Sequence, residues 1–191
     1  MRKIISKGQE EKSKSRKRLI IGLILMAIML MSVVGYGFVG TEKTSPSKKI
    51  TYNGFEFINQ NGVWITQIGE TQFAFKYNPK EVEKITSELK SLENYYQKPL
   101  YLSSENGEAE AEIYQNLDKF VQRTQRACLE GGKCLDKNLP IKTCEDNFII
   151  IEEGENYNIR QENNCVFIES TRENLTKLSD EFLFKITGIE D

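Results

Sequence analysis

The sequence predicts an α+β protein: an N-terminal transmembrane helix, then one exported domain with helices packed on a mixed, largely antiparallel sheet. Three observations carry this. A run of 21 residues, Leu19–Val39, holds no charge. Aromatic and β-branched clusters cut by Asn-Gly pairs follow it, as strands and tight turns require. Beyond them, apolar residues at helical spacing alternate with short apolar runs.

The apolar run comes first. At ~1.5 Å per residue it forms a helix of ~31 Å, close to the ~30 Å hydrocarbon core of a bilayer. Twelve of its residues are Leu, Ile, Val or Phe, a gross insertion gain of about −4 to −7 kcal/mol with no charge to cancel it. Residues 1–18 carry eight basic side chains against Glu10 and Glu11, a net of +6. That bias keeps the N-terminus in the cytoplasm and attracts the tail to anionic lipid headgroups. A cleaved signal peptide is the competing reading. It calls for a shorter apolar region and a small-residue cleavage site, and Val33–Gly40 has no clear A-x-A pattern. The expectation is an uncleaved signal-anchor: tail 1–18, single-pass helix 19–40, polar linker 41–49 and extracytoplasmic domain 50–191.

The domain's elements follow in order. Ile50–Tyr52, Phe55–Ile58, Val63–Ile68 and Phe73–Tyr77 predict a meander turning at Asn53-Gly54, Asn61-Gly62 and Gly69-Glu70. Trp64, Phe73 and Phe75 are its expected core residues. Asn78-Pro79 then has the form of a helix start, with Val82, Ile85, Leu89 and Leu92 on one face. Leu100–Leu102 reads as a strand. A second helix is expected over 108–128, burying Ala109, Ile113, Leu117, Phe120, Val121 and Cys128. Glu108, Glu110 and Glu112 at its start and Arg123 and Arg126 near its end suit the helix dipole and read as solvated surface. Phe148–Ile151 and Val166–Ile168 are further strands. Ser170-Thr171-Arg172-Glu173 has the form of a capping box. It opens a last helix that buries Leu175, Leu178, Phe182 and Ile186 and stops at Gly188.

Four cysteines, Cys128, Cys134, Cys144 and Cys165, lack the close pairs of structural zinc sites, and the chain has no histidine. On the exported side disulfides are the default. An antiparallel hairpin of the last two strands, turning at Gly154-Glu155, would set Cys144 opposite Cys165 and leave Cys128 to pair with Cys134. Loop-closure entropy assigns these about 3.4 and 2.4 kcal/mol. Asn174-Leu175-Thr176 is a glycosylation sequon on the exported side.

Residues 41–191 hold 18 basic and 26 acidic residues, a net of −8. Such a domain repels phosphate backbones, so no nucleic-acid partner is expected. Without histidine the Ser-His-Asp and Cys-His arrangements and most catalytic metal sites are excluded. There is no P-loop, no G-x-G-x-x-G and no C-x-x-C. No catalytic, cofactor or metal residue is assigned. The expected role is a non-catalytic binding or assembly module of the cell envelope, with another envelope or membrane protein as partner. The alternative is a tethered hydrolase using carboxylates or a Ser–Lys pair, for which Ser103-Ser104 after the Leu100–Leu102 strand is the nominated position. A third reading gives recognition to the transmembrane helix itself.

Overall fold

The computed structural model describes residue 17 and residues 19–31, 48–134 and 136–190. The chain divides near residue 46 into two units, and each is taken by itself. In the first, residues 19–31 are helical (α1) with exposed side chains. Among the described residues no helix is long and apolar enough to cross a membrane. Positions 32–39 of the expected span, the tail up to residue 16 and most of the linker lie outside the described residues.

The second unit is an α+β fold with two main sheets rather than one mixed sheet. Strands β1 (Lys49–Tyr52), β2 (Phe55–Gln60), β3 (Val63–Ile68) and β4 (Thr71–Phe75) form an antiparallel meander in sequential order. Asn53 and Gly54 (φ 47° and 84°) and Asn61 and Gly62 (φ 53° and 85°) both take left-handed backbone. Both pairs therefore make the primed turns whose twist matches a hairpin. Phe57, Trp64, Phe73 and Phe75 are buried, as alternation requires.

The other sheet runs β10 (Asn158–Glu162), β11 (Cys165–Ser170), β9 (Asn147–Glu153), β5 (Pro99–Ser104), β6 (Arg123–Arg126). Only the β10–β11 pair is antiparallel; β11–β9, β9–β5 and β5–β6 are parallel. Both faces of its centre are covered, which explains the unbroken Phe148–Ile151 run. A two-stranded parallel ladder, β7 (Cys128–Leu129) with β8 (Ile141–Lys142), lies beside β5.

Helices α2 (Gly107–Leu117) and α3 (Leu175–Ile186) pack on each other and share one core with both sheets. The Phe184 ring on α3 lies 6.1 Å from that of Phe57 and 4.6 Å from that of Phe75. The opposite face of the second sheet carries its own small core of Tyr101, Phe148, Ile150, Cys165 and Phe167.

Four expectations about single elements and their connections are corrected. The helix expected after Asn78 is absent. Asn78 does begin a turn, its side chain accepting the Lys80 N–H and its carbonyl the Glu81 N–H. The chain then runs extended to a short 3-10 turn, Leu92–Asn94. Ile85, Ser87 and Leu89 alternate inward, so Val82, Ile85, Leu89 and Leu92 reach the core without a helix. Period 2 and period 3.6 overlap in that pattern.

The second helix ends at Leu117, not at Cys128. Its cap is Asn106, whose side chain accepts the Glu108 and Ala109 N–H groups. Arg123 and Arg126 therefore belong to a strand, and Arg126 reaches back to Glu110. The capping box also fails to form. Ser170 ends β11 and is buried, and α3 starts one turn later behind Asn174 without a side-chain cap.

The last correction concerns the strands behind the disulfides. The expected β9–β11 hairpin does not exist, because these strands are parallel and β10 intervenes in sequence. Both expected disulfides nonetheless form, Cys128–Cys134 and Cys144–Cys165, the second with Cα atoms 4.9 Å apart. Cys165 opens β11 beside Phe148 of β9, and Cys144 lies just upstream of β9. The Asn164 N–H donates to the Cys144 carbonyl at 3.1 Å, which brings the two together.

Candidate functional site

Parallel strands end on the same side of a sheet, and open α/β sheets bind ligands outside those carboxyl ends. Here β5 and β9 end at Ser104 and Glu153. A concavity of about 300 Å³ opens there on the face away from the helices. Ile150 and Phe167 form its floor, Ser103, Glu105 and Glu152 stand at the strand ends, and Lys133 closes one side. Leu129 and Gly132 bring the Cys128–Cys134 loop into the wall, so a disulfide closes part of the site.

Several charges around it are already engaged. Arg172 pairs with Glu153 at 3.1 Å. The Arg160 guanidinium lies 3.7 Å from the Phe167 ring centroid and also bonds Glu162. The nominated pair separates into two roles. Ser104 folds back on the chain, donating to the Asn106 carbonyl and accepting the Asn106 N–H. Ser103 faces the concavity together with Lys133. Lys133 is exposed, whereas a lysine base needs burial to give up its proton easily.

Toward the opposite strand ends Tyr101 meets two cations. The Arg123 guanidinium donates to its hydroxyl at 3.0 Å, and the Lys142 ammonium lies 4.3 Å from its ring centroid. Hydrogen bonds from Lys142 and Arg123 hold the phenol below its ordinary range.

Sequence reasoning missed the buried acids. Asp180 and Glu181 on α3 are both fully buried, and Glu112 and Glu190 nearly so. Glu112, expected in solvent, is buried where α2 packs on α3 and accepts the Gln115 side-chain amide at 2.8 Å. Asp180 accepts the Tyr77 N–H at 2.8 Å. Burial, then the Glu112 charge, pushes Asp180 well above the carboxylate range. A second pair joins Glu181 to Glu190. Burial, then Glu190, pushes Glu181 up to about 7, while Lys84 reaches Glu190 at 2.7 Å. A signal for this existed in the Phe182-Leu183-Phe184 run. Three consecutive apolar residues put apolar surface all round a helix, so its acidic neighbours are buried too.

Asn174 is half-exposed behind α3, and its side-chain amide donates to Thr171 at 3.2 Å. Thr176, the third sequon residue, is buried and donates to Glu108 at 3.4 Å. The folded domain therefore hides part of the sequon. Comparison with protein-family models, curated proteins and solved structures finds no match.

Proposed function

We propose that the chain is a single-pass membrane protein, held by an uncleaved helix at 19–39, whose domain acts outside the cytoplasm as a non-catalytic binding or assembly module. The strand-end concavity supports this reading best. It is small, walled by a disulfide loop, and bordered by Arg172–Glu153 and Arg160–Phe167 contacts that fix its shape rather than poise a reactive group. Two disulfides support export, since they persist in oxidising compartments. The partner is another envelope or membrane protein, and the basic tail adds attraction to anionic headgroups on the inner face.

The test is in-cell photo-crosslinking of the full chain, with the reactive residue at Glu152 and a control at exposed Glu56 on the other sheet. A discrete adduct from Glu152 alone is expected, in the fraction that resists carbonate extraction. Recovery of the chain in the soluble fraction would remove the anchor. Equal adducts at both positions would remove the site.

A tethered hydrolase is the second reading, and one observation favours it: Ser103, Lys133, Glu105 and Glu152 share a single concavity. Turnover of ester or glycoside substrates by the full chain, lost on Ser103→Ala or Glu152→Gln, would establish it against the binding role.

A further inference from the structure

The segment that the sequence casts as a helix after Asn78 is attached to the domain in an unusual way. Among the described residues, no backbone group from Val82 to Lys90 bonds another backbone group. Side chains hold it instead. Glu181 accepts the Ile85 N–H at 3.3 Å, and Lys185 donates to the Ile85 carbonyl at 3.0 Å. Ser87 donates to the Ile159 carbonyl on β10. Farther along, Gln161 accepts the Lys90 N–H at 2.8 Å, and the Lys90 ammonium reaches Asn164 at 2.7 Å. The segment thus lies along β10, the outermost strand of its sheet. A cavity of about 630 Å³ opens between it and Lys185, Gly188 and Glu190.

The charged groups around this attachment come from every neighbouring element. The segment contributes Glu83, Lys84 and Glu88, α3 contributes Glu181 and Lys185, and Glu190 follows α3. Lys84 also lies 5.3 Å from the Tyr52 ring centroid on β1, and Tyr157 before β10 faces Glu181 and Glu83. Burial pushes Glu181 up to about 7, so below that pH its carboxyl sits neutral beneath the segment. Once ionised, Glu181 is a buried anion, and among the described residues one oxygen of Glu181 and one of Glu190 have no hydrogen-bond partner. Water reaches Glu181 most readily where Glu190 gives way, because its ammonium partner Lys84 is exposed and belongs to the segment.

We propose that residues 82–90 form an acid-held strap over the β10 edge, released when the buried Glu181 carboxyl is ionised. Glu190 and Lys84 swing outward together, water enters the cavity, and the Ile85 hydrogen bonds to α3 open. This inference is independent of the strand-end concavity.

Amide exchange of the full chain in detergent micelles, read at Ile85 and Lys90 and corrected for intrinsic rates, tests it. Between about pH 6 and pH 8.5 protection at Ile85 should fall about tenfold further than that of Leu183 in α3, which follows global stability. Glu181→Gln should keep Ile85 protected across the range. Glu190→Gln should do the same, and serves if the first variant fails to fold. Protection at Ile85 that is independent of pH in the wild-type chain overturns the strap, as does a drop that persists in either variant.

Discussion

Asn116 closes the free edge of β4: its side-chain amide accepts the Ala74 N–H at 3.0 Å and donates to the Ala74 carbonyl at 2.7 Å. An amide matches a strand's alternating donor and acceptor, so one residue of α2 does the work of a fifth strand at that point. Lys119 donates to the Gln72 carbonyl next to it. The same Asn116 amide also donates to the Glu112 carbonyl at 3.0 Å. Replacing Asn116 with Ala should cost about 1–3 kcal/mol, because the Ala74 N–H loses its acceptor while the Ala74 carbonyl keeps the Gln115 amide at 3.2 Å. Urea unfolding checks this, and a loss below about 0.5 kcal/mol would reject the edge-closing role.

Asp180 and Glu181 should reverse the usual acid sensitivity of a domain. Each has a folded pKa raised above its unfolded value. The folded state then binds more protons, so stability is full at low pH and declines as pH rises. For Glu181 the decline runs from about 4.5 to about 7 and amounts to about 3 kcal/mol. Denaturation midpoints should be higher at about pH 5 than at about pH 8. Asp180→Asn should flatten part of that slope. A midpoint that rises with pH over this range would contradict the burial argument.

Phe184 contacts the meander through Phe57 and Phe75 from a helix that also packs on the second sheet. Truncation to Ala should cost about 3–5 kcal/mol, the range for buried aromatic residues. Exposed Tyr114 on α2, truncated in parallel, should cost less than about 0.5 kcal/mol. Similar losses at both positions would mean that the two sheets do not share a core.

The disulfides should differ in worth. Cys144–Cys165 spans a separation of 21 residues and Cys128–Cys134 one of 6. Paired Cys→Ala replacements should cost about 3 and about 2 kcal/mol, since the longer loop loses more entropy when closed. Thermal unfolding of the two double variants gives the order directly.

Much of the meander was legible because its signals are local. Asn-Gly pairs demand left-handed backbone wherever they occur, and Phe73 and Phe75 alternate within one strand. The buried stripe of α3 was equally plain in Leu175, Leu178, Phe182 and Ile186. What failed depended on distant partners. Val82, Ile85, Leu89 and Leu92 fit a helix, but distant partners, among them Glu181, Lys185, Ile159 and Gln161, hold the segment instead. Glu112 looked solvated because Asp180 lies 68 positions away. Of the candidate site, Ser103 was found through the rule that strand ends carry function. Lys133 and Glu105 were not, since nothing local ties a disulfide loop to that strand end.

The order β10-β11-β9 has a temporal meaning. Residues 147–162 cannot close as a simple hairpin, because the seat between β9 and β10 belongs to β11, which is made after both. Assembly must keep that seat open, or vacate it, until residue 165 and its successors arrive. Such late insertion of a parallel strand is slow relative to local hairpin closure. Correct oxidation of Cys144 with Cys165 reports the completed insertion, so a maturation factor that senses this one bond would distinguish finished chains from unfinished ones.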